Sequence, residues 1–125
     1  MEKLTLLNGE DRWFFPNRVT LVALKGKGST VGGIGRAIIG VAEPFDEVTA
    51  RLDDPDQFAR FEKEPKVPVW VRVSAVSWVS PPTPARDDGI RAQIGVGGDA
   101  IGVTASVEDV VTELERIQRA GGAVV

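Results

Sequence analysis

The residues best placed to do chemistry form the stretch Lys25-Gly26-Lys27-Gly28-Ser29-Thr30-Val31-Gly32-Gly33-Ile34-Gly35, which holds five glycines, two lysines and two hydroxyls. Glycine amides can wrap a phosphate, a lysine can reach its outer oxygens, and a Ser or Thr can hold magnesium at the start of a helix. Spacing argues against that use. No glycine stands the required distance ahead of a Gly-Lys-Ser/Thr triplet, and Val31-Gly32-Gly33 cannot open a stable helix. As a connection between strands, the same glycines supply positive backbone angles at no steric cost. A small-ligand or nucleotide site on the Gly26–Gly35 loop, with Gly26, Lys27, Gly28 and Ser29 as its contacts, is therefore the alternative reading.

Other chemistry is bounded by what is absent. The chain has no His, Cys or Tyr, which removes serine–histidine triads, imidazole and thiolate metal sites, cysteine nucleophiles and disulfides. The run Gly33-Ile34-Gly35-Arg36-Ala37-Ile38 resembles a segment of the short-chain dehydrogenases, but those enzymes need a long doubly wound sheet and a catalytic tyrosine. Only carboxylates, Lys, Arg, Ser and Thr remain, and no spaced carboxylate pair points at one cavity. The sequence reads as non-enzymatic, with no cofactor and no metal site. Asp53, Asp54 and Asp56 suit helix capping better than cation binding, because Pro55 interrupts them and no glutamate follows at loop spacing.

Charge is more informative than any motif. From Arg12 to Ala42 there are five basic residues and no acid, whereas Glu43 to Glu64 holds eight acids against three bases. Arg18, Lys25, Lys27 and Arg36 accordingly form the candidate docking patch for an acidic protein partner or for the acidic face of a second copy. The net charge of −3 gives no global attraction to nucleic acid or to an anionic bilayer. The opening residues do not form a secretory leader and no long apolar run spans a membrane, so the expected setting is the cytoplasm or a large assembly such as a virion.

The elements that position these residues repeat along the chain. Ile39-Gly40-Val41 and Val48 match Ile101-Gly102-Val103 and Val110 at a spacing of 62, and Trp13, Val19 and Val22 match Trp70, Val76 and Val79 at a spacing of 57. Val67, Val69, Val71 and Val73 alternate with Pro68, Trp70, Arg72 and Ser74, the pattern of a strand with one buried face, and the change of parity at Ser74-Ala75 predicts a bend or bulge. Leu4 to Leu7 with Asn8-Gly9 predicts an opening strand and tight turn, for which Glu64-Pro65-Lys66 supplies no counterpart. Val107, Val110, Val111, Leu114 and Ile117 make one helical stripe, capped by Ser106 and stopped at Gly121-Gly122. Pro44 starts a shorter helix with Phe45, Val48 and Leu52 as its stripe. Trp13, Trp70 and Trp78 read as core residues, with stacking or interface anchoring as the alternative.

The predicted fold is α+β: two tandem related β-β-β-α modules with pseudo-two-fold symmetry, mostly antiparallel sheet, helices on one side. The first module spans 1–53, a short helical linker 54–66, and the second module 67–125, forming one compact unit. Exposed strand edges in such a fold invite a homo-oligomer.

One family likeness follows from these segments. Leu4-Thr5, Leu7-Asn8-Gly9 and Pro16-Asn17, with Val19 and Val22, resemble the opening of the small flagellar-operon proteins called FlbD. Gly97-Gly98, Val103, Ser106 to Val111 and Leu114 resemble their ending. The resemblance implies a doubled, non-enzymatic module acting through protein contacts in a larger bacterial or phage assembly, and it carries no catalytic residues.

Overall fold

The computed structural model describes residues 1–82 and 88–122, without the side chains of 121 and 122. Residues 83–87, which take in part of the Pro81-Pro82-Thr83-Pro84 connection and of the Asp87-Asp88-Gly89 turn expected from the sequence, and residues 123–125 lie outside the described residues. The fold is α+β with antiparallel strand pairing and two helices.

The chain opens with the hairpin β1 (Glu2–Thr5) and β2 (Asp11–Phe14), turned at Gly9, whose φ of 91° only glycine adopts freely. A 3-10 turn, Pro16–Arg18, leads into a meander of β3 (Leu21–Lys25), β4 (Gly28–Gly32) and β5 (Ile39–Val41), followed by α1 (Phe45–Ala50). The order then recurs. The hairpin β6 (Phe58–Glu64) and β7 (Val67–Arg72), a 3-10 turn at Val73–Ala75, the meander β8 (Val76–Ser80), β9 (Ala92–Val96) and β10 (Asp99–Val103), and α2 (Val107–Gly122) complete the chain.

Cross-strand register repeats in the same way. Val22 pairs with Val31 and Val31 with Ile39; Val79 pairs with Ile94 and Ile94 with Ile101. Each meander also closes onto its hairpin, through Ala42 N–H to the Thr5 carbonyl (2.8 Å) and Thr104 N–H to the Glu62 carbonyl (2.9 Å).

The halves meet where β7 pairs with β3, giving a five-stranded sheet ordered β5-β4-β3-β7-β6. Side chains on these two central strands serve two cores, because successive residues of a strand face opposite ways. Leu21 and Ala23 of β3 join Val69, Val71, Ile94, Val103 and the α2 stripe, whereas Val22 joins Leu4, Val31, Val48 and Phe58, with Trp70 packed against that second cluster.

Four expectations need correction. The helices do not share one side: α2 packs with Leu21 and Ala23 and α1 with Val22, on opposite faces of β3. Residues 54–66 are not a helical linker: a single 3-10 turn, Pro55–Gln57, precedes β6, and the Phe58/Phe61 spacing that mimics a helix belongs to a strand whose alternate residues are exposed. The second half therefore has its own opening hairpin, turned at Lys66 with φ 66°, and each half carries five strands before its helix rather than three. Nor does a two-fold relation describe the junction. Such an axis would lay β2 on β8 as β7 lies on β3, yet among the described residues β2 pairs only with β1 and β8 only with β9.

Candidate functional site

The glycine-rich segment folds as a hairpin. Lys25 pairs with Gly28 around a two-residue turn, and Gly26 at its first position has φ 60°, the backbone such a turn requires. Ser29, at the base of that turn, is buried, and its hydroxyl donates to the Glu43 carbonyl at 2.9 Å. A Cβ on Gly28 would stand 2.4 Å from the Val41 carbonyl oxygen, so this glycine exists to let two strands approach. Of the four alternative ligand contacts, Gly26 and Lys27 are exposed, while Gly28 and Ser29 are engaged in packing; an apolar depression of about 380 Å3 beside them is lined by Leu7, Lys25, Lys27 and Gly40 among others.

The basic docking residues separate into two pairs. Lys25 and Lys27 sit at the β3–β4 tip, whereas Arg18, before β3, and Arg36, after β4, belong to the other end. Strands of this length keep those ends on the order of 13–17 Å apart. All four side chains are exposed. Arg36 also lines a depression of about 160 Å3 with Gly97, Gly98 and Asp99.

Two polar clusters escaped the sequence reading. Arg72 is buried and donates from Nε to the Val19 carbonyl (2.7 Å), from Nη1 to Asp54 Oδ2 (2.6 Å) and from Nη2 to Asp54 Oδ1 (3.1 Å), while its guanidinium lies 4.5 Å from the centroid of the Phe58 ring. Asp54 thus holds an arginine across the junction rather than capping a helix; no side-chain cap bond is made at the 3-10 turn it precedes. Only an Arg inside a valine-rich strand, with an Asp some distance upstream, hints at this in the sequence.

The second cluster is Glu43, whose two carboxylate oxygens accept from Thr5 N–H at 2.9 and 3.1 Å. Burial pushes its pKa upward, but the Thr5 hydrogen bonds and the nearby Arg51 charge outweigh this and hold it below the ordinary 4.5. A depressed carboxylate stabilises the fold fully above its unfolded value and loses that contribution as pH falls through the lower folded value. Glu43→Gln should therefore flatten the acid limb of stability, by a few tenths of a kcal/mol because the group is partly solvated. Urea midpoints compared at about pH 7 and about pH 3 read this out.

The tryptophans divide. Trp70 is partly buried, edge-on to Phe45 at 5.8 Å and tilted against Phe58 at 6.3 Å, with Arg60 4.1 Å from its centroid. Trp13 and Trp78 are exposed, against the expectation of core positions. They stand on β2 and β8, each of which pairs with a single strand among the described residues, as β1, β5, β6 and β10 also do.

Among the described residues no group of three His, Cys, Asp or Glu is arranged to hold a metal, and no helix is long and apolar enough to cross a membrane. A depression of about 570 Å3 between the 3-10 turn at Pro55–Gln57 and α2 carries Glu113 and Arg116, already ion-paired at 2.5 Å. No family model, curated protein or solved structure matches this chain.

Proposed function

We propose that this chain is a non-catalytic, self-associating protein-binding module, built from two diverged copies of one β-β-β-β-β-α unit. The observation that carries this reading is where large apolar side chains meet water: Trp13 and Phe15 on or beside β2, and Trp78 on β8. A strand edge has unpaired backbone groups, and an aromatic side chain on it supplies anchoring area, so the combination suits strand addition by another protein. The recurring element order, the parallel cross-strand registers and the matched closing bonds support the duplication.

The nucleotide alternative draws less support, because the Ser29 hydroxyl is already committed within the fold. The exposed Arg18, Lys25, Lys27 and Arg36 remain available to an acidic partner, as two separate pairs. The FlbD-like opening and ending favour membership of a larger bacterial or phage assembly, which the neighbouring genes would test.

Sedimentation of the pure chain over a concentration series, with a thermal-shift panel of nucleotides alongside, tests the reading. A mass above the 13.4 kDa monomer and no nucleotide shift is expected. A monomer at every concentration, with a shift from one nucleotide that Lys27→Ala removes, would overturn it.

A further inference from the structure

The internal junction between the halves is a template whose counterpart at the outer edges has no partner strand among the described residues. Inside the chain, β7 lies antiparallel on β3 with Val71 opposite Leu21, Trp70 opposite Val22 and Val69 opposite Ala23, and Arg72 N–H donates to the Thr20 carbonyl at 2.8 Å. Moving each partner by the 57-residue spacing converts β3 into β8 and β7 into β2. The equivalent pairs are Phe14 with Trp78, Trp13 with Val79 and Arg12 with Ser80, with Phe15 N–H aimed at the Ser77 carbonyl.

Exposure follows the same correspondence. Leu21, covered by β7, is 1% exposed and lies over Gly32; Trp78 lies over Gly95 in the matching cross-strand pair and is 45% exposed. Trp70 is partly buried, while Trp13 at the equivalent place is 61% exposed. Each tryptophan already has a cation near its ring at the same spacing, Arg60 for Trp70 and Lys3 for Trp13 at 5.9 Å.

The receiving site is also present. Trp70 fills the space between the β3 edge and Phe45 of α1. Between the β8 edge and α2 there is an open groove of about 470 Å3, lined by Val73, Val76, Trp78, Val79, Val111 and Leu114. These six apolar side chains offer packing for an indole beside the polar Gln57, Ser74, Ser77, Glu115 and Gln118 that complete the lining, and Val79 is the residue that would face Trp13.

From this correspondence we infer that β2 of one copy adds to β8 of a second copy in the register of the internal junction, with Trp13 seated in the β8–α2 groove, so that copies join head to tail. The inference rests on the self-associating reading and specifies its occupant and geometry. Each copy gives one edge and takes one, and the series closes into a ring when the accumulated rotation allows.

Complementation tests it. Trp13→Glu disables the donating edge and Trp78→Glu the receiving edge, and both positions are solvent-exposed. With circular dichroism confirming each fold, light scattering should find each variant monomeric where the native chain is multimeric. An equimolar mixture should give a one-to-one dimer, because one intact edge of each kind remains. A second readout keeps both tryptophans: a chain with Arg12→Cys and Ser80→Cys, free of native cysteines, should form a cross-linked ladder with a short bismaleimide, and Arg12→Cys alone should not. Multimers that persist in either Glu variant, or dimers cross-linked from Arg12→Cys alone, would overturn this geometry and leave self-association standing. A native chain that stays monomeric would overturn both.

Discussion

Arg72→Ala is expected to lower the unfolding free energy by about 3 kcal/mol, because removing one partner of a buried, hydrogen-bonded ion pair leaves its acceptors without donors. The guanidinium joins three segments: the 3-10 turn region through the Pro16 and Val19 carbonyls, the stretch after α1 through Asp54, and the Phe58 ring. Arg72→Lys should recover less than half of the loss, since an ammonium cannot present the planar fork that reaches Asp54 and two carbonyls together. Asp54→Ala should cost less than Arg72→Ala, about 1–2 kcal/mol, because the arginine keeps its carbonyl acceptors. Urea denaturation of the three variants, with the double variant completing the cycle, measures the coupling directly. A loss under about 1 kcal/mol for Arg72→Ala would mean that the junction is held by the β3–β7 strands alone.

Gly33→Val should be at least as damaging. Gly33 has φ 93°, and a Cβ there would lie 2.2 Å from the Arg18 carbonyl oxygen and 2.9 Å from Thr20 N, both backbone atoms that cannot swing aside. Left-handed backbone costs a non-glycine residue about 1–2 kcal/mol before any clash, and the contact adds more, so a loss above about 3 kcal/mol in thermal or urea melts is expected. Gly26→Ala gives the contrast. Gly26 also has positive φ, at 60°, but nothing lies within 4 Å of its Cβ position, which leaves only the backbone term of about 1 kcal/mol. A comparable loss at both sites would place the cost in backbone angle alone and not in the close approach to Arg18.

These effects locate what sequence reasoning reaches. The α2 stripe is legible because its spacing is helical throughout, and the Ser106 hydroxyl accepts from Asp109 N–H at 3.2 Å as its position suggests. β7 is legible from its alternating valines, and the predicted bend after it is the 3-10 turn at Val73–Ala75. β6 is obscured because Asp54-Pro55 imitates a helix start, although Arg60, Glu62 and Glu64 alternate with Ala59, Phe61 and Lys63 at a strand's period. The fate of the tryptophans could not be read locally. Trp13 and Trp70 occupy matching strand positions, and what distinguishes them is whether a neighbouring strand supplies a groove, a fact of tertiary pairing that no window of residues contains. Arg72 is obscured for the same reason: in a half-buried strand it reads as a wet-face residue until Val19 and Asp54 are brought to it from far along the chain.

The placement of Leu21 and Ala23 in the core they share with β7, β9 and α2 has a consequence for synthesis. When β3 leaves the ribosome, the strand that will cover it has not yet been translated, and neither have the residues that will pack against those two side chains. A nascent chain therefore passes through an interval with a bare edge that wants a tryptophan-bearing strand, while sibling chains on the same messenger already display one at Trp13. Closure onto its own β7 must outrun capture by a sibling, so slowing translation between the emergence of β3 and the emergence of β7 should favour entangled products over the correctly folded chain.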